Sequence, residues 1–477
     1  MNWETVCGLE VHVELSTKSK IFCSCSTEFG GEPNTHCCPV CTGMPGTLPV
    51  LNKRVVEYAT KAGIALNCEI TKYNKFDRKN YFYPDLPKAY QISQLYLPIC
   101  RNGYVPIEVN GVKKNIRIHE IHMEEDAGKL IHDPFIDETK CDYNRCGVPL
   151  IEIVSEPDFR SEDEVIAYLE KLKSTLEYLD VSDCKMQEGS MRADVNVSIR
   201  PVGSDKFGTR TEMKNMNSFK AISRAIAYER KRQSELLEAG KEVVQETRKW
   251  DDNKGKSFAM RGKENAQDYR YFPEPDIPPV EISDEMIEEI KNSLPELAEA
   301  KVNRYMSDFD LPLYDSQMIT SQKALSVFFE ETTALCSKPK EVSNWIMGDV
   351  MRLLKDNSME AKDMLVKPQA LSKLIELVDK GTLNRKKARE IFEVAFIEEI
   401  DIDKYIKENN FEQVSDEGIV IEAVEKVFSE NQQSIDDYFN GKTKAYGYLV
   451  GQTMRELKGK ADPSVVNKII QEKLDNM

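Results

Sequence analysis

Long apolar runs are missing from this sequence. No stretch of about 18 uninterrupted apolar residues occurs, which excludes an ordinary membrane-spanning helix. The opening MNWETVCGLEVHVEL has neither a basic leader nor a long apolar segment, so no secretory signal is expected and the cytoplasm is the default compartment. Positive charge is in deficit: 65 Lys and Arg face 81 Asp and Glu, for a net charge of −16. General polyanion binding depends on Lys and Arg neutralising phosphates, so any nucleic-acid contact here must be local. Glycine-rich phosphate cradles are missing too. No GxGxxG follows a strand-like segment, and NGKTK at 440–444 carries Asp436 where a P-loop requires its first glycine. Histidine is scarce, at five in 477 residues.

The scarce residues are not evenly spread. All five histidines precede residue 133, and ten of the twelve cysteines precede residue 147. Chemistry is therefore concentrated in the front of the chain. The length allows two to four domains, and 40% apolar with 31% charged residues is an ordinary soluble composition.

Residues 1 to about 280 are β-rich in pattern. VCGLEVHVEL, NIRIHEIHM, VPLIEIV and ADVNVSIR all alternate with period two. YFPEPDIPPVEIS, at 271–283, carries four prolines and is expected to be a loop or boundary. From Asp284 the apolar spacing becomes three and four. SDEMIEEIKNSL, SNWIMGDVMRLL, PQALSKLIELVDKG and NRKKAREIFEVAF are expected helices, with Ser, Ser and Pro marking the first three starts. ADPSVVNKIIQEKL reads as a capped final helix. The last 37 residues, from Gly441, hold seven Lys and Arg against four Asp and Glu.

Cys23-Ser24-Cys25 and Cys38-Pro39-Val40-Cys41 form two thiol pairs separated by twelve residues. Disulfides rarely persist in the cytoplasm, and two such pairs can close on one tetrahedral zinc. Cys37 and His36 stand ready to replace one ligand. Reduced unliganded thiols and a redox dithiol are the other readings. A closed four-thiolate site leaves no open position, so it would fix a loop and take no part in catalysis.

Acidic residues punctuate the strands. Glu10, His12 and Glu14 share one face of GLEVHVE. Glu152 sits alone in VPLIEIV, Asp194, Asn196 and Ser198 share a face of ADVNVSI, and Glu124, Glu125 and Asp126 end a strand-like run. Paired in one antiparallel sheet, Glu10, His12, Glu125, Glu152, Asp194 and Asn196 would face a common cavity. Such crowding is costly without a cation. Mg²⁺ suits carboxylate oxygens and shares its shell with phosphates, which suggests phosphoryl transfer without a P-loop. Wet faces of half-exposed strands are the plainer alternative, favoured for Glu14 and Asp126. In DRKNYFYPDLPKAYQISQ, at 77–94, cations alternate with rings, as suits phosphate and base contacts or a polar conduit.

These stretches, with HMEEDAGK, GVPLIEIVSEPDFRS, KMQEGSMRADVNVSIR and TEMKNMNSFK, occur in an order that closely resembles the B-subunit family of bacterial glutamyl/aspartyl-tRNA amidotransferases. GKTKAYGYLVGQTMRELKGKADPSVVNKII resembles that family's YqeY-type tail. The resemblance covers essentially the whole chain. It implies an α+β fold: a glutamine-synthetase-like antiparallel-sheet cradle (1–292), an all-α helical domain (293–407) and a small helical YqeY-like tail that holds tRNA (408–477). It also implies ATP- and Mg²⁺-dependent phosphorylation of the side-chain carboxylate of Glu-tRNA(Gln) or Asp-tRNA(Asn), followed by displacement of phosphate by ammonia. Carried over residue by residue, Glu10, His12, Glu125 and Glu152 match the metal and phosphate centre. Lys79, Tyr81 and Lys88 match the ammonia route, Asp194 and Asn196 border the nucleotide, and Cys23, Cys25, Cys38 and Cys41 hold zinc. No Gly/Ser-rich amidase signature is present, so ammonia is expected from an amidase A subunit clamped by a small C subunit. A zinc-bearing RNA scaffold and a free-standing ligase for a small acid are the competing readings.

Overall fold

The computed structural model describes residues 2–132, 135–260, 269–409, 411, 417–457 and 463–477. They fall into two compact units, 1–297 and 298–477.

The first unit is built on strands β1 (Trp3–Glu14), β2 (Glu69–Ile70), β3 (Tyr73–Asn74), β4 (Asp77–Asn80), β5 (Tyr90–Ser93), β6 (Cys100–Val109), β7 (Val112–Glu125), β8 (Lys129–His132), β9 (Thr139–Asp142), β10 (Pro149–Ser155), β11 (Met191–Pro201), β12 (Thr211–Lys214), β13 (Glu246–Asp251), β14 (Lys256–Ala259), β15 (Phe272–Pro273) and β16 (Val280–Glu281). Nine of them form one sheet in the order β14-β13-β12-β11-β1-β10-β7-β6-β2. The period-two segments are thus its four inner strands, with β1 at the centre. The sheet is mixed, which departs from the antiparallel expectation at one pair. β12 and β13 run parallel because helix α3 (Phe219–Glu238) crosses over between them.

Helices α1 (Lys53–Ala65), α2 (Glu162–Tyr178) and α3 pack on one face of this sheet. Each starts where a polar side chain caps it: Asn52, Ser161 and Ser218 accept from the backbone N–H of Arg54, Glu164 and Ala221. On that face Leu9, Val11 and Val13 of β1 meet Ile151, Ile153, Val195 and Val197, with Leu169, Leu172 and Ile222 above them. With the apolar residues committed there, the polar residues of the same strands are forced onto the other face.

The proline-rich stretch is not a boundary. β15 pairs with β4 and β16 with β3, and buried Glu274 accepts both Arg78 Nε (2.6 Å) and a second guanidinium N–H (2.9 Å). Helix α4 (Asp284–Asn292), capped by Ser283, still belongs to the first unit.

The second unit is helical among its described residues. Pro368 and Asn384 start helices as expected. Ser343 does not. It lies inside a helix that begins at Pro339 and runs through a π-helical turn, Ile346–Val350, into Met351–Asn357. Two separate apolar clusters form, one around Trp345, Phe329 and Phe392, the other around Val424, Leu449 and Ile470. Residues 458–462, among them Asp462 at the start of the expected capped final helix, lie outside the described residues. Among the described residues no helix is long and apolar enough to cross a membrane.

Leu172 is fully buried on α2, in the core between that helix and the sheet. Leu172→Ala should cost the first unit about 2–5 kcal/mol in urea unfolding; a change well under about 1 kcal/mol would contradict this packing.

Candidate metal centre on the open face of the sheet

Strand register sets the polar face. In antiparallel pairs, residues directly opposite each other project to the same side. His12 is opposite Glu152, and Glu152 is opposite His122, so these three form one row across β1, β10 and β7. One pleat along, Glu10 faces Asp194; one further, Gly8 faces Asn196, which faces Glu212 of β12.

The first row closes around Glu124. His12 Nε2 lies 3.5 Å from Glu124 Oε1 and 3.4 Å from Glu152 Oε2, and His122 Nε2 lies 3.0 Å from the same Glu152 oxygen. Glu124 and His122 are buried. Burial works against charge on both imidazoles, yet Glu152 and the neighbouring carboxylates raise the pKa of each. Burial likewise opposes charge on Glu152, but His12 and His122 hold its carboxyl well below the usual range. The two imidazoles and the two carboxylates thus sit within 3.0–3.5 Å contacts of one another.

A second acidic set adjoins it. Glu10, Asp194 and Glu212 bring ligand oxygens within 4.8 Å of one another, as do His12, Glu124 and Glu152. Asn196 Nδ2 donates to Glu10 Oε1 at 3.0 Å. Lys214 pairs with Asp194 and lies 3.2 Å from Glu212; burial disfavours its charge, but the two carboxylates raise its pKa. Both sets are rich in carboxylate oxygens, which suits hard divalent cations. Beside them Asp126 accepts from Arg192 at 2.8 Å, and Glu14 is pushed up to about 8, first by burial and then by Asp126.

The structure brings Glu10, His12, Glu152, Asp194 and Asn196 together on this face. It does not bring Glu125 there. Successive residues of a strand alternate sides, so Glu124 takes the place beside His12. Glu125 instead accepts from Ile92 N–H at 2.9 Å and pairs with Lys88. Lys88 Nζ also sits 5.2 Å from the centre of the Tyr90 ring. Lys79 and Tyr81 lie elsewhere. Lys79 Nζ is 5.1 Å from the Tyr269 ring centre and 6.0 Å from that of Tyr81. Burial disfavours its charge, but Tyr271, Glu124 and Glu152 raise its pKa. His122, Glu124 and Glu212 are not among the site residues that the sequence singles out. The alternation His122–Glu124 in β7 is the available signal for two of them; Glu212 stands on a four-residue strand that period counting does not reveal.

The thiols converge as two knuckles. The Sγ atoms of Cys23, Cys25, Cys38 and Cys41 all lie within 4.8 Å of one another, and Cys38 and Cys41 are 3.9 Å apart. Tetrahedral zinc at about 2.3 Å from each sulfur demands almost that spacing. Cys38 N–H points at Cys41 Sγ (3.2 Å), and the Cys41 thiol is lowered to about 4, above all by the hydrogen bond from Cys23. Cys37 instead reaches the carbonyl of Asn34 at 3.3 Å.

Residues 5–288 match the GatB/GatE catalytic domain family and residues 327–474 the GatB domain family. Similar curated proteins include the B subunit of an aspartyl/glutamyl-tRNA(Asn/Gln) amidotransferase from Lachnoclostridium phytofermentans, 66% identical over 99% of both chains. Proteins of the same name from Agathobacter rectalis and Thermoanaerobacter pseudethanolicus are 63% and 55% identical, each over 99% of this chain and 100% of its relative. The domain matches and the full-length relatives agree: the chain belongs to the GatB family.

Proposed function

We propose that this chain is the kinase and amide-forming subunit of a tRNA-dependent amidotransferase, acting on the side-chain carboxylate of Glu-tRNA(Gln), Asp-tRNA(Asn) or both. The observation that carries the proposal is the meeting of His12, Glu124 and Glu152 on a half-buried sheet face, next to Glu10, Asp194 and Glu212. A carboxylate is a poor acyl donor because oxide leaves badly, and phosphorylation by ATP supplies a good leaving group. His12, Glu124 and Glu152 would hold one Mg²⁺, and Glu10, Asp194 and Glu212 a second. When bound, the metal offsets charge on the phosphates and on the attacking carboxylate. Asn196 orients Glu10 and, with Asp194, borders the nucleotide.

Lys79, Tyr81 and Lys88 lie on the route by which ammonia reaches the activated carboxylate, and Glu125 stands beside Lys88. Glu125, paired with Lys88, is suited to taking a proton from ammonium on that path. The ammonia comes from an amidase A subunit held by a small C subunit. Cys23, Cys25, Cys38 and Cys41 hold a structural zinc. The cradle of residues 1–292 performs the chemistry in a glutamine-synthetase-like arrangement, and the helical region 293–407 and the tail 408–477 hold tRNA. The complex works in the cytoplasm.

Glu124→Gln should lower tRNA-dependent ATP cleavage by about 100-fold or more, because a ligand charge worth several kcal/mol is removed. Glu125→Gln should leave ATP cleavage within about threefold while amide formation falls by about tenfold or more. Equal loss of both activities in Glu125→Gln would overturn this assignment. The purified chain alone should show no glutamine hydrolysis; robust hydrolysis would refute the division of labour between the polypeptides. Protein purified without chelators should carry one zinc per chain, and a metal-free chain would rule the zinc out.

A further inference from the structure

Lys20 has no surface exposure at all, although it sits in the ordinary-looking stretch STKSK. Its Nζ donates to the carbonyl of His36 at 2.6 Å and reaches the carbonyl of Tyr143 at 3.5 Å and Cys41 Sγ at 3.6 Å. None of these partners is a carboxylate. A buried ammonium without an anion is strongly unfavourable, and two carbonyl dipoles do not neutralise a full charge. Among the described residues, the anion that its contacts offer is a thiolate of the four-cysteine cluster.

The rest of the residue belongs to the same cluster. Lys20 N–H donates to the carbonyl of Cys25 at 3.1 Å, and Ser19 and Ser26 form a bridge beside it. A single residue thus grips the first thiol pair by its backbone and the second by its side chain. Its stem runs past Gly147, where an added Cβ would meet Lys20 Cδ at 3.6 Å and Cys41 Cβ at 3.5 Å. The Tyr143–Gly147 turn is thereby tied to the knuckles as well.

We propose that Lys20 is the buried counter-charge of the four-thiol site, a positioning residue that steadies both halves on one divalent cation. Four thiolates around Zn²⁺ carry two net negative charges, and one buried ammonium halves them. Without the cation and its thiolates, Lys20 keeps two carbonyl dipoles for company. Metal and lysine therefore stabilise each other. The inference rests on the zinc assignment above, and the two can fail separately.

The test compares the full-length chain with Lys20→Met, which keeps the stem and removes the charge. Zinc release to an excess of a chelating dye should be about tenfold faster in the variant, the range typical of groups that support metal ligands. The Co²⁺-substituted variant should keep its tetrahedral visible bands, while its thiolate-to-cobalt charge-transfer band moves to longer wavelength. Chelation should lower the Tm of the native chain by more than that of Lys20→Met. If Lys20→Met is insoluble, Lys20→Gln serves for all three readouts. Equal release rates, an unshifted band and equal Tm losses would overturn the role of Lys20 while leaving the zinc site intact. A native chain that takes up neither zinc nor cobalt would overturn both.

Discussion

Like charges crowded onto one half-buried sheet face are the constraint around which the first unit is arranged. Two carboxylates about 4 Å apart repel by roughly 4 kcal/mol at the effective dielectric near a protein surface. Glu10, Glu124, Glu152, Asp194 and Glu212 gather in two such sets within a few residues of one another. No sheet accumulates them for stability. His12, His122, Lys214 and Asn196 relieve part of the repulsion from within the protein.

That arrangement is made possible by the opposite face. Leu9, Val11 and Val13 are held under helices α1–α3, so a register slip of one residue in β1 would bury Glu10 and His12 and expose the core. The catalytic candidates and the hydrophobic core are thus two readouts of a single register. The lysines follow a second logic. Lys79 lies beside the Tyr81 and Tyr269 rings and its charge is favoured by Glu124 and Glu152, whereas Lys88 pairs with Glu125. Adjacent glutamates of one strand end therefore serve two different surroundings.

Much of this is legible in the sequence because strands write their faces with period two. Glu10 with His12, Glu152 within apolar neighbours, and Asp194 with Asn196 are each visible from alternation alone. The choice between Glu124 and Glu125 is not, since three consecutive acids end the strand and only the count back through His122 settles their parity. Glu212 is hidden for a different reason: its strand is four residues long and its place beside β11 is fixed by tertiary pairing. Lys20 is hidden because burial of a lysine leaves no trace in local pattern. The four thiols, by contrast, announce their convergence by spacing. Helix starts are readable where a cap precedes them, and misleading at Ser343, where the true start at Pro339 lies four residues upstream.

The most direct test of the central claim is anomalous diffraction from crystals of the full-length protein equilibrated with Mn²⁺ and a non-hydrolysable ATP analogue. Peaks are expected within about 2.3 Å of His12 Nε2 and the carboxylates of Glu124 and Glu152, and between Glu10 and Glu212. Ordered nucleotide whose metal is held by other residues, with both carboxylate sets empty, would contradict it.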